Sequence, residues 1–272
     1  MGNISNTFYR SRKLELMRSW FTQEVVGTEV VPTLNVVIPT RGCSWNQCLM
    51  CSYSLDAQER EFIQEFRELM KKEFEKIKIF TSGSFLDKKE LPESVRNRIL
   101  DVIKEKGVRE VTVETRPEYA EEAAKVQSYL GDISLEVALG LESANDRILK
   151  YCINKGFLFE DFEKAVEILD TRIKAYLLIK PPFLTEHEGI EDAVNSAETI
   201  ERLVDVISFN PVVIHRETLL EYLWKTRSYT PPWIWSVVEI LNRTRNLKPH
   251  IICHPVALGK YRGIQNCRKC TG

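Results

Sequence analysis

The sequence predicts an α/β protein built as a partial (β/α)6 TIM-like barrel. Short β-rich runs alternate with amphipathic stretches, the order expected of a parallel sheet with crossover helices. Six such units are too few to close an eight-unit barrel, so the sheet should curve and stay open. Glycine, cysteine and polar residues gather where the predicted strands end, the edge at which α/β folds keep their chemistry.

The 272 residues divide into an N-terminal helical extension (1–32), the barrel (33–245) and a cysteine-containing tail (246–272). Within the extension, 8–21 reads as a separate helix packed outside. Residues 34–38 form the first strand. Over 59–74 a helix follows, because Phe62, Phe66, Leu69 and Met70 fall on one face. The second strand is 77–81, and its helix is 91–105 with Pro92 near the start. A third strand and helix occupy 108–113 and 117–129. The fourth strand, 133–139, precedes helices at 145–151 and 159–169. Strand 173–179 pairs with helix 186–203, and strand 206–209 is followed by helices at 218–225 and 233–244.

Hydrophobic residues at 43% and charged residues at 28% are ordinary for a soluble globular protein. No run of about 20 apolar residues offers a membrane span, and the start carries no apolar signal core. Seven cysteines are an odd number, and nothing marks the chain as secreted, so reduced thiols in the cytoplasm are expected. The net charge of −1 argues against a strongly electrostatic nucleic-acid binder. From Leu241 onward, however, there is no Asp or Glu, while Arg243, Arg245, Lys248, Lys260, Arg262, Arg268 and Lys269 are present. Such a basic tail suits phosphate contact or is solvated surface.

Cys43, Cys48 and Cys51 lie within nine residues, directly after the first strand. A cubic 4Fe–4S cluster asks for one terminal ligand on each iron, usually a cysteine thiolate. Three thiolates leave one iron open to bind a reactant. A zinc site wants four ligands, usually in pairs, and the nearest histidine in sequence is His187.

The other strand ends carry Ser82, Gly83 and Ser84; Glu114 and Arg116; Gly140 and Glu142; Lys180; and Asn210. Glycine lets a backbone approach a ligand closely. A carboxylate can accept both hydroxyls of a ribose, and an arginine can grip a carboxylate with two bonds. Plain readings stand beside these: an ordinary turn, a rim salt bridge, a helix first turn, a solvated lysine. Tyr176 and Lys180 are candidate substrate contacts and catalytic residues. Trp233 and Trp235 read as core or as a platform for an unstacked base.

The cysteine loop and these strand ends resemble the radical S-adenosylmethionine (SAM) superfamily. Four residues separate Cys43 from Cys48 and two separate Cys48 from Cys51, where the superfamily usually has three and two. With Pro39-Thr-Arg-Gly-Cys-Ser-Trp-Asn, Phe80-Thr-Ser-Gly-Ser-Phe-Leu-Asp, Ala175-Tyr-Leu-Leu-Ile-Lys-Pro-Pro-Phe and Tyr222-Leu-Trp, the chain is similar to the archaeosine-biosynthesis radical SAM (RaSEA) family. Through Glu114-Thr-Arg-Pro and 218–224 it is more distantly similar to the radical SAM domain of the elongator catalytic subunit.

The resemblance implies a radical SAM type of barrel. It implies a 4Fe–4S cluster on Cys43, Cys48 and Cys51, and SAM as the second cofactor. Ser82-Gly83-Ser84 would stand at the amine-binding motif, without that motif's acidic residue. Glu114 and Arg116 would address the ribose and the methionyl carboxylate, and Gly140 and Glu142 would lie near the adenosyl group. From its place at a strand end, Asn210 suits contact with an adenine edge or with a backbone. The implied reaction breaks a lysine side-chain carbon–nitrogen bond on a 7-deazaguanine in the tRNA D-loop. The implied partners are tRNA, archaeosine synthase and an electron donor. In the tail, Cys253, His254, Cys267 and Cys270 offer a zinc site, an auxiliary cluster or free thiols; the elongator analogy favours zinc.

Overall fold

In the computed structural model, which describes residues 17–254 and 261–266, eight strands form one sheet in chain order. β1 (Ser19–Val26) and β2 (Glu29–Val37) make an antiparallel hairpin that turns at Gly27, whose φ of +60° suits glycine. β2 then runs parallel to β3 (Lys76–Phe80). β4 (Glu110–Thr115), β5 (Ser134–Glu142), β6 (Arg172–Ile179), β7 (Val206–Pro211) and β8 (His250–Cys253) continue the parallel order.

Parallel neighbours need crossover connections. Helices supply them: α1 (Ile63–Leu69), α2 (Glu93–Lys106), α3 (Glu121–Leu130), α4 (Phe159–Ile168), α5 (Glu186–Ile200), α6 (Leu219–Lys225) and α7 (Ile234–Thr244). A π-helical turn, Ile148–Ile153, stands where a helix was expected at 145–151. None of the described helices is long and apolar enough to cross a membrane.

Two expectations are corrected. Residues 19–21 of the expected 8–21 helix belong to β1, and 8–16 lie outside the described residues. β1 is a strand because its partner is at hand: Trp20 stacks on Phe80 at 5.5 Å, and Asn35 Nδ2 donates to Thr22 at 2.8 Å. The expected boundary at 32/33 therefore falls inside β2. At the other end, β8 joins the sheet beside β7, so part of the expected tail is barrel.

Alternate residues of each strand face opposite sides. Leu34, Ile77, Val111, Val137, Leu177 and Phe209 are fully buried under the helices. The concave side is polar. Lys76 reaches Glu110 at 2.6 Å, and Glu136 and Glu24 at 3.4 Å each. Lys174 and Arg172 pair with Glu136 at 2.5 and 3.1 Å. A β3 lysine that touches β1, β4 and β5 carboxylates at once requires a sheet curled around its own concave face.

Candidate active site at the carboxyl edge of the sheet

The loop that leaves β2 carries Cys43, Cys48 and Cys51, all partly buried. It is pinned from two sides. On one side, Glu90 Oε1 accepts from Ser44 N at 2.7 Å and Glu90 Oε2 from Ser84 N at 2.5 Å. On the other, Trp45 Nε1 donates to Asn154 O at 2.8 Å, Asn154 Nδ2 to Gln47 O at 2.9 Å and Leu49 N to Ile153 O at 2.9 Å. Trp45 fills the notch left by Gly156, where a Cβ would come within 2.5 Å of the indole.

Burial pushes the Cys51 thiol up to about 11 and raises that of Cys48, and the three sulfurs sense one another. Lys155 and Arg116, beside Cys48, pull the other way. Among the described residues, no three His, Cys, Asp or Glu side chains converge tightly enough for a single metal ion. A cube does not ask for that, since each thiolate holds a different iron. Three soft sulfur donors on one loop, with two cations at hand, fit an iron–sulfur cluster.

Each strand-end residue can now be placed. Ser84 is fully buried, and its hydroxyl accepts from Arg116 N at 2.9 Å, so it serves the loop's own geometry. Gly83 passes so near the cysteine loop that a Cβ would collide with Glu90 and lie 2.8 Å from Cys43 Cα. Ser82 remains partly exposed beside it. Glu114 faces the concave side and interacts with the Tyr176 phenol; burial lifts its carboxyl to about 7. Tyr176 lies opposite Gly140 on β5 and Ser208 on β7.

Arg116 donates from Nε to Glu118 at 2.6 Å and from Nη2 to Lys155 O at 3.0 Å, between the rings of Trp45 and Phe157. Glu142 follows a register shift in β5 and has φ +75°. This left-handed backbone, uncommon for such a residue, accompanies a bond of 2.8 Å from Lys155 Nζ to Glu142 Oε1. Gly140 leaves room for that pair: a Cβ there would meet both partners at about 3 Å.

Lys180, a candidate catalytic residue, is held by partners within the fold. The side chain is buried, with Nζ on Glu186 at 2.7 Å and Thr230 at 3.3 Å, which ties α5 to the segment before α7. Asn210 Nδ2 donates to its own strand at Ser208 O, 3.3 Å away.

Cys253 and His254 are neighbours on an extended segment, so their side chains face opposite ways. Cys253 packs against the apolar core, while His254 Nδ1 meets the Ser208 hydroxyl at 3.3 Å. Burial and the nearby Lys78 bring His254 down to about 4. The two side chains therefore diverge, and Cys267 and Cys270, the other members of the expected group, lie outside the described residues. Of the basic tail, Arg243 pairs with Glu191 and Arg262 with Glu221, while Lys260, Arg268 and Lys269 are also outside. Trp233 and Trp235 are exposed rather than core.

Lys155, Glu90 and Asn154 were not foreseen. They enter from loops far along the chain from the cysteines, and no local spacing marks them.

Residues 37–197 match the Radical SAM superfamily. The chain belongs to that superfamily. It is 36% identical to archaeosine synthase subunit beta of Methanosarcina acetivorans, over 93% of this chain and 79% of that protein. The protein of the same name from Thermococcus kodakarensis is 37% identical, over 92% and 84%. This places the chain in the RaSEA family within the superfamily. Among solved structures, a queuine lyase from Clostridium spiroforme bound to SAM and queuine shares the fold, with TM-score 0.61, 21% identity and coverage of 85% of this chain and 94% of that one. So does Elp3 of Methanocaldococcus infernus, with TM-score 0.58, 20% identity, and coverage of 75% and 55%.

Proposed function

We propose that this chain is the radical SAM enzyme of archaeosine biosynthesis, acting on tRNA together with archaeosine synthase. The observation that carries the reading is the 36–37% identity, over more than nine-tenths of this chain, to two proteins named archaeosine synthase subunit beta. The substrate is a 7-deazaguanine bearing lysine, and the reaction breaks the lysine side-chain carbon–nitrogen bond to leave the formamidine of archaeosine. When bound, the cluster and SAM would supply radical chemistry for hydrogen-atom removal, given one electron from an external donor.

The chain's own residues bind, orient and exclude water. Cys43, Cys48 and Cys51 hold the cluster. Lys155 and Arg116 offset negative charge beside Cys48. Glu114 would accept the ribose hydroxyls, and Arg116 would pair with the methionyl carboxylate. Tyr176, Gly140 and Asn210 line the space for the adenosyl group and the lysine. An external one-electron donor completes the system.

The test is anaerobic reconstitution with iron and sulfide, then incubation with SAM, a reductant and tRNA carrying the lysine-modified base. We expect 5′-deoxyadenosine and a mass loss on that base. Formation of 5′-deoxyadenosine with no change in the tRNA would retain the superfamily chemistry and reject the substrate.

A further inference from the structure

Glu90 stands outside every strand-end group assigned above, yet it joins two of them. It is 1% exposed, and what acts on its carboxyl is burial, the hydrogen bonds from Ser44 and Ser84 and the neighbouring Asp87 rather than a cation. A buried carboxylate without a cation is costly unless hydrogen bonds replace its water. Here the replacements are backbone N–H groups, one from each of two loops. Ser44 N, next to Cys43, donates to Oε1 at 2.7 Å, and Ser84 N, next to Gly83, donates to Oε2 at 2.5 Å. The Glu90 carbonyl also accepts from Arg41 N at 3.0 Å.

The base of this clamp is rigid. Glu90 N and Leu91 N both donate to Asp87 O, at 3.1 and 2.9 Å, and Phe85, Leu86 and Leu91 are buried beneath the turn. At Gly83 the two loops are already in contact, since a Cβ there would lie 2.8 Å from Cys43 Cα. Two donors on two loops need two acceptor oxygens held at one span. A carboxylate provides both; an amide of the same size provides one acceptor and one mismatched donor.

We propose that Glu90 is a positioning residue that couples the cluster seat to SAM binding. By fixing the separation between the cysteine loop and the Ser82-Gly83-Ser84 loop, it keeps a ligand held by one in register with a ligand held by the other. The inference rests on the radical SAM reading and adds a residue to it.

The test compares wild type, E90Q and E90D after anaerobic reconstitution. Three quantities are read: iron per chain, far-UV circular dichroism, and SAM affinity per cluster from the SAM-induced change in the spectrum of the reduced cluster. We expect both variants to load iron, because the cysteines are intact. E90Q should bind SAM about tenfold or more weakly per cluster, the size of one lost charge-assisted hydrogen bond. E90D keeps the charge but shortens the reach, and should also weaken SAM binding. If SAM affinity per cluster stays within about twofold of wild type, by the same arithmetic, the coupling is refuted, even where iron loading or thermal stability falls. Should E90Q not fold, E90D decides by the same criterion. A wild type that loads iron but binds no SAM overturns the proposed function itself, and the coupling with it.

Discussion

At the scale of single residues, Glu114 is the most informative side chain. Burial lifts its carboxyl to about 7, while the Tyr176 phenol and Lys78 favour the ionised form. Only the ionised carboxylate can accept from both ribose hydroxyls without itself donating. Its charged fraction grows as pH rises through 7, so SAM should bind more tightly at pH 8 than at pH 6. The E114Q variant removes the titration. Its SAM affinity should be lower by about tenfold at pH 8, one hydrogen bond to a charged group, and nearly flat across that range. Dissociation constants measured from pH 6 to 8.5 check this; an unaltered slope in E114Q would assign the titration elsewhere. The positions of the cysteines, Glu114 and Gly140 at or after strand ends could be read from the sequence, because the strands that carry them could. Lys180 shared that signal, yet its left-handed backbone, φ +61°, accompanies a side chain turned onto Glu186. Position along a strand does not settle side-chain direction once the chain has left the sheet.

At the scale of elements, the six foreseen strands are present, because their apolar residues recur with the period that buries one face. β1 and β8 were missed for a physical reason. β1 is an edge strand, partly exposed along its length, and β8 has only four residues, so neither shows a clear alternation. The segment 153–156 was equally invisible, although it braces the widened gap between Cys43 and Cys48. Asn154 has φ +58° and Gly156 φ +83°, conformations that few residues adopt cheaply. N154A forfeits the bond to Gln47 O and the tolerance for that backbone, about 1–2 kcal/mol locally. G156A drives a methyl group into Trp45. Both variants should remain folded by circular dichroism yet retain less iron after gel filtration, with G156A the more affected. Wild-type iron content in both would show that the strap does not brace the cluster loop.

For the molecule as a whole, the parallel part of the sheet followed from the order of its elements, but its charged interior did not. In β3, Lys76-Ile-Lys-Ile79 reads as a strand with one apolar and one watery face. Alternation looks the same whether the polar face meets solvent or carboxylates on other strands. Here it meets Glu24, Glu110 and Glu136, in place of the branched apolar layers common in barrels. Glu136 is the hub, within 3.4 Å of Lys76, Arg172 and Lys174, and those cations overcome burial to hold its carboxyl down to about 2. Such a depressed acid stabilises the fold above its unfolded value of about 4.3, and the contribution fades as pH falls from there toward 2. Removing the charge leaves buried cations uncompensated, a loss of about 3–5 kcal/mol. E136Q should therefore unfold at a markedly lower urea concentration than wild type at pH 7, with the gap narrowing as acid is added below pH 4. Equal urea midpoints at pH 7 would mean that the surrounding lysines and arginine are neutralised by their other partners. The concave face would then tolerate an apolar filling, and its charges would have to be explained by what enters from the open side.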